Sequence, residues 1–135
     1  MLWISHVSTA LFMSNLLGAK DLLSLSLSCL GSIFPDRIEF LGSRRILKHR
    51  QISHSILVWI FLFLEFSDLS EKIKWFFFGV FVHLFEDLLT KRGIPLFLKK
   101  RIAIKLVRTG GISEFIFTTS VLISCLFIYL RNSFS

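Results

Sequence analysis

The chain has 135 residues, 53% of them hydrophobic and 16 of them phenylalanine, and its mean hydropathy is +0.69. One small water-soluble core cannot bury this much apolar surface, so the composition excludes an ordinary soluble domain and indicates a membrane protein. The net charge of +7 does not indicate nucleic-acid binding. The basic residues are not interleaved with aromatic residues as in proteins that bind single strands, and we expect no nucleic-acid partner.

The hydrophobic residues group into five segments that are predicted as helices, and no linker separates them. In a bilayer, an isolated segment can satisfy its backbone hydrogen bonds only by forming a helix. We therefore predict a helix even for the alternating Leu-Ser run of the second segment, with its serines at a contact between helices. The fold class is therefore predicted as all-α, a polytopic membrane bundle of about five helices in a single domain, residues 1–135. The predicted segments are residues 2–17, 22–34, 52–66, 75–89 and 112–130.

The basic residues predict which ends of these segments face the cytoplasm. Of the 16 lysine and arginine residues, five lie between Arg37 and Arg50 and seven between Lys91 and Arg108, so two loops hold twelve of them. With five spans both loops fall on one side, and the positive-inside rule makes that side cytoplasmic. The N-terminus is then predicted inside and the C-terminus outside. A basic loop also suits anionic membrane lipids or a phosphate-bearing substrate.

The second basic loop contains two short apolar runs around a Lys-Lys-Arg turn, followed by a double glycine. Alternation in Ile-Ala-Ile-Lys-Leu and the presence of Pro95 favour a short β-hairpin on the cytoplasmic surface. An amphipathic helix is the alternative. No metal or disulfide motif involves Cys29 or Cys125, which lie in apolar segments.

All four histidines lie near the predicted cytoplasmic ends of the segments. His83 and Asp87 are four residues apart, which places both side chains on one face of a helix, where they can bind one metal ion. Glu86 is turned about 100° away and is a poorer ligand for that ion. A capping aspartate beside a hydrogen-bonded histidine is the structural alternative. His54 begins the third segment, and an interfacial basic cluster is its alternative.

The remaining candidates lie at the same predicted level. His6 and His49 are candidate metal ligands, and Arg50 beside His49 could balance an anionic oxygen. Asp36 follows Pro35, and a carboxylate is a common partner of imidazole around zinc or manganese. Glu114 follows the double glycine. Ordinary turn, cap or interfacial roles explain each residue singly, but they do not explain why all of them reach one membrane face, where ionisable groups are costly.

The order of these motifs resembles the bacterial inner-membrane, LexA-regulated metal-dependent hydrolases of the YdjM type. The resemblance runs from residue 6 to about residue 114. Its motifs are His6, Pro35-Asp36, His49-Arg50-x-x-Ser-His54, Gly79-x-x-x-His83-x-x-x-Asp87, Gly93-Ile-Pro-Leu and Thr109-Gly-Gly-x-x-Glu114. A more distant similarity, through the same order of His and Asp, is to all-helical zinc-dependent phospholipases C and nucleases.

The resemblance implies a multi-pass inner-membrane hydrolase of a phosphoester, with a lipid-linked substrate as one option. Its cofactor would be a divalent metal, zinc by imidazole content or manganese, and its ligands are expected among His6, Asp36, His49, His54, His83 and Asp87. Asp36 or Glu114 would accept a proton from water, and Arg50 would balance phosphate charge.

This chain departs from the family at one position, because Ile38 replaces the second acid of a Pro-Asp-x-Asp motif. Either Glu39 substitutes for that acid or one metal subsite is missing. A non-catalytic protein that binds metal for structure or sensing is the alternative function. A transporter is a third, disfavoured because the chain has no internal repeat.

Overall fold

The computed structural model describes residues 2–41, 44–45, 52–96 and 100–133. Within these ranges the chain forms five α-helices, and each of them overlaps a predicted hydrophobic segment. One turn of 3-10 helix, Ile52–His54, precedes the third helix and another, Ser67–Leu69, follows it. The helices are α1 Trp3–Leu16, α2 Leu22–Arg37, α3 Ile56–Phe66, α4 Glu71–Leu89 and α5 Ile112–Ser133.

Helix α2 confirms that the Leu-Ser run is helical, but the predicted end at residue 34 is wrong. The helix continues through Pro35 to Arg37, and the backbone N–H of Ile38 donates to the carbonyl of Phe34 at 2.9 Å. Pro35 removes one donor near the C-terminal end, and the hydrogen bonding resumes after it. Asp36 is therefore carried by the last helical turn and not by a turn after the helix.

Helices α2 and α4 form the most extensive contact in the described chain, and two glycines allow their backbones to approach closely. A Cβ added at Gly31 would lie 1.9 Å from the carbonyl oxygen of Phe76, and one added at Gly79 would lie 1.9 Å from that of Ser28. Small residues at such contacts are typical of helix pairs in membranes. Of the serines in the Leu-Ser run, Ser24 and Ser28 are buried, as the sequence predicted, and Ser26 is exposed.

We expect Gly79→Ala to destabilise the protein, because its Cβ would collide with backbone that cannot move without separating α2 from α4. Overpacking of this kind costs about 1–3 kcal/mol. Thermal unfolding in detergent would measure the loss, with Phe85→Ala on the exposed side of α4 as the control. An unchanged melting temperature for Gly79→Ala would show that the two helices can move apart freely.

The interior of the described chain is aromatic and lies between α3 and α4. Trp59, Phe77, Val80 and Leu84 form the buried core, and Ile94 joins it from the segment after α4. The indole N–H of Trp59 donates to the carbonyl of Ser53 at 2.7 Å. This bond fixes α3 against the turn that carries His54.

Two short antiparallel strand pairs accompany the helices. Strand β1, Phe40–Leu41, pairs with β2, Arg44–Arg45, and strand β3, Ile94–Pro95, pairs with β4, Arg101–Ile102. The pairing of β3 with β4 confirms the hairpin predicted in the second basic loop. The pair formed by β1 and β2 was not predicted.

Only α5 among the described helices is long and apolar enough to cross a membrane by itself, over Ile112–Arg131. Just 6% of that stretch is buried within the protein, so its apolar side chains have little protein cover. Helices α1, α2 and α3 have 14, 16 and 11 residues, short of the ~20 residues of an ideal span. The prediction of five spans is therefore not confirmed by helix length.

Candidate metal centre

Five predicted ligands from four parts of the chain meet at one end of the helices. His6 lies in the first turn of α1, Asp36 in the last turn of α2, His54 in the turn before α3, and His83 and Asp87 near the end of α4. His6, His54, His83 and Asp87 are completely buried, whereas the Asp36 side chain is 16% exposed. The helices alternate in direction, so these chain positions all reach the same end.

The donor atoms that face one another are the Nε2 atoms of the three imidazoles and the oxygens of the two carboxylates. Nε2 of His54 lies 3.1 Å from Nε2 of His83 and 3.2 Å from Oδ1 of Asp36. Oδ2 of Asp87 lies 3.5 Å from Nε2 of His54 and 3.8 Å from Nε2 of His83.

His6 completes the group, and its ring stacks on that of His83 with centroids 3.9 Å apart. Its Nε2 lies 3.9 Å from Oδ1 of Asp87. Two sets of three residues hold ligand atoms within 4.8 Å of one another, and the sets share His83. They are His6, Asp36 and His83, and His54, His83 and Asp87.

The outer nitrogen of each imidazole is bound to a different acceptor. Nδ1 of His83 lies 2.6 Å from the carbonyl oxygen of Ser32, which can only accept, so this nitrogen carries the proton. Nδ1 of His6 is hydrogen-bonded to Oε2 of the buried Glu86. When both imidazoles are neutral and Glu86 accepts from His6, the Nε2 atoms of both rings have lone pairs that point into the cluster.

His54 follows the same rule through two neighbours. Nδ1 lies 3.0 Å from the Ser53 hydroxyl and 3.3 Å from Oε1 of Glu39. The hydroxyl already donates to that carboxylate at 2.6 Å, so its oxygen is available to accept from the imidazole. Glu39 is fully buried. Its carboxylate therefore orients His54 and is not among the converging donors.

The arrangement fits a divalent metal ion. Imidazole lone pairs and carboxylates placed this close repel one another, and a cation relieves that repulsion. Nε2 of His6 is buried and has no hydrogen-bond partner in the part of the chain that the structure describes. Ligand atoms around tetrahedral zinc are about 3.3 Å apart, and the shorter separations in the cluster match this value.

The least buried member of the cluster, Asp36, is held by a residue that the sequence did not nominate. The indole N–H of Trp3 donates to Oδ2 of Asp36 at 3.1 Å. The guanidinium of Arg37 lies 4.3 Å from the centre of the Trp3 ring. Trp3 therefore fixes the carboxylate on the open side of the cluster.

Glu114 contacts the beginning of α1 instead of the donor cluster. Oε1 accepts hydrogen bonds from the backbone N–H of Leu2 at 2.5 Å and from the Ser5 hydroxyl at 3.0 Å. Oε2 accepts from the N–H of Gly110 at 2.6 Å. This carboxylate therefore caps α1 from the first turn of α5, and its proposed catalytic role stays a prediction. His49 and Arg50 lie outside the described residues.

Local spacing could not reveal Glu39, Glu86 or Ser32, because their contacts join distant parts of the chain. Glu39 was considered as a replacement ligand for the missing acid at position 38. Instead it contacts Nδ1 of His54, and Ile38 is 44% exposed. Neither residue is one of the converging donors.

A family model described as YdjM inner membrane protein matches residues 1–133. The chain belongs to this family. Membership in the YdjM inner membrane protein family confirms the resemblance seen in the motif order and agrees with the exposed apolar surface of α5. Comparisons with curated proteins and with solved structures find no match.

Proposed function

We propose that this chain is a membrane-embedded, metal-dependent hydrolase of phosphoesters, with zinc as its ion. The observation that supports the proposal is the convergence of three imidazole Nε2 atoms and two carboxylates at one end of the helices. Membership in an inner membrane protein family supports the location of the site at a membrane. Manganese suits the same nitrogen and oxygen donors and is the second candidate ion.

We assign two roles to the residues of the cluster: some would bind the ion, and Asp36 would act on the attacking water. His6, His54, His83 and Asp87 would hold the ion from the buried side. A bound divalent ion supplies Lewis-acid chemistry, which polarises a phosphoester oxygen and acidifies water. Asp36 lies on the open side of the cluster, so its carboxylate is placed to accept a proton from water. Trp3 would keep that carboxylate oriented.

We further propose that the protein crosses the inner membrane several times, with the N-terminus and the metal centre on the cytoplasmic side. A helix of 14 residues such as α1 rises about 21 Å, so the bilayer around α1–α4 would have to thin or the helices would stop part-way. The single-domain organisation of residues 1–135 and the role of Arg50 in balancing phosphate charge belong to the same proposal.

A non-catalytic metal site, structural or sensory, is the second candidate. It is favoured by the burial of four of the five donors, because structural zinc sites are closed by protein ligands, whereas catalytic sites keep a position for water.

The two functions are separated by assaying the detergent-purified protein for metal and for turnover together. For the hydrolase we expect about one divalent ion per chain, with phosphoester or phospholipid hydrolysis that is lost on chelation and restored by zinc. Glu65→Gln, an exposed acid on α3, is the matched control and should behave as the wild type. Bound ion without turnover of any substrate would overturn the hydrolase in favour of the second candidate.

A further inference from the structure

Two cavities flank the turn formed by Thr109, Gly110 and Gly111, which leads into α5. The first holds about 380 Å³ and is lined by Lys91, Arg92, Arg108 and Thr109. The second holds about 480 Å³ and lies between α1 and the first three turns of α5. Its lining is mainly apolar, with Ile4, Ile112, Phe115 and Leu122 among the residues. The two glycines place no side chain between these cavities.

The cationic cavity is created by backbone pairing that holds two basic segments side by side. Thr90 and Val107 form a parallel bridge, in which the N–H of Lys91 donates to the carbonyl of Val107 at 3.2 Å. Lys91 and Arg92 are thereby fixed beside Arg108. In the described ranges no carboxylate lies within ion-pair distance of these three cations. Like charges held together in this way favour the binding of an anion.

The position of the cavities relative to α5 indicates which anion. The candidate span begins at Ile112, four residues after Arg108. With α5 across the membrane, the cations would lie at the level of lipid headgroups. The apolar groove follows the span inward from that level, where acyl chains lie. The Glu114 carboxylate also lines the groove, but its oxygens accept three hydrogen bonds from Leu2, Ser5 and Gly110.

We propose that the two cavities together bind one anionic phospholipid, with its phosphate in the cationic cavity and an acyl chain in the groove between α1 and α5. The site depends on α5 crossing the membrane and does not depend on the metal centre. A cationic cavity that ends at Thr109 and an apolar groove that begins at Gly110 match the two chemically different parts of such a lipid.

The proposal is tested by titrating the full-length, detergent-purified protein with phosphatidylglycerol and with phosphatidylcholine of the same acyl chains, and counting bound lipid by native mass spectrometry. We expect phosphatidylglycerol to bind more tightly. Arg92→Gln and Arg108→Gln should each weaken its binding about fivefold and leave phosphatidylcholine unaffected. Lys20→Gln, an exposed cation outside the cavity, should change neither.

The groove is tested separately at Thr118, which lines it. Thr118→Trp should fill the groove and weaken the binding of both lipids. Thr118→Val, which conserves the side-chain volume, should leave the binding of both unchanged. Equal binding of the two lipids by the wild type, or full competition by inorganic phosphate, would overturn the proposal. Metal content measured on the same samples separates this result from the hydrolase, because His83→Ala should lose metal and still bind phosphatidylglycerol.

Discussion

His83→Ala is expected to abolish stoichiometric binding of the metal ion. The Nε2 atom of His83 is common to both sets of candidate ligands, and it faces His54 at 3.1 Å and Asp87 at 3.8 Å. Its Nδ1 is fixed by the Ser32 carbonyl, so the ring is oriented before any ion arrives. The substitution removes a ligand that no neighbouring side chain of the described cluster can replace.

Two measurements check this prediction. Elemental analysis should find about one ion per wild-type chain and none in the variant. An ion that binds only the folded protein stabilises it by about 4 kcal/mol at a thousandfold excess over Kd, so added zinc should raise the melting temperature of the wild type and not of the variant. Full metal content in His83→Ala would contradict the centre. Asp87→Asn provides the same test if His83→Ala fails to fold.

The sequence predicted the helices and the level of the ligands because both depend on patterns along the chain. Apolar runs of 13 to 19 residues gave five segments, and the two basic loops gave their directions. His83 and Asp87 needed only the four-residue spacing of a helix. The meeting of His6 with α4 could be expected only after all five directions had been fixed, since 77 residues separate His6 from His83.

The residues that orient the imidazoles were beyond such reasoning. Glu86 was set aside because it is turned about 100° from Asp87 on α4. That same rotation directs its carboxylate to Nδ1 of His6 on α1. Helix geometry makes Glu86 a poor metal ligand, but Glu86 still orients His6, which is a candidate ligand. Only the packing of α1 against α4 reveals this second role.

The missing acid at position 38 shows the same limit. Comparison with the family pattern indicated either a substitute ligand or a lost subsite. Ile38 lies just after α2 and is partly exposed, whereas Glu39 is buried against Ser53 and His54. An acid at position 38 would therefore be partly exposed, whereas the acid at position 39 contacts the outer nitrogen of His54.

Glu39→Ala is expected to lower the affinity for the metal ion by about 10–100-fold, because acceptors on the outer nitrogen of a histidine ligand fix its tautomer and raise its basicity. Glu39→Gln keeps an oxygen that can accept from Nδ1 of His54 but loses the charge, so its loss should be smaller. Competition with a chromogenic chelator measures both affinities. Ile38→Ala, the exposed neighbour, is the control.

A purely structural role for Glu39 predicts a different pattern. In that case Glu39→Ala would lower the melting temperature of the ion-free protein. If the charge of Glu39 were what stabilised the packing, Glu39→Gln would lower it by the same amount. We expect instead that the ion-free proteins melt alike, since the buried carboxylate is costly without the ion nearby. The affinities should then rank as wild type, Glu39→Gln and Glu39→Ala. Wild-type affinity in Glu39→Ala would mean that His54 is oriented by Ser53 alone.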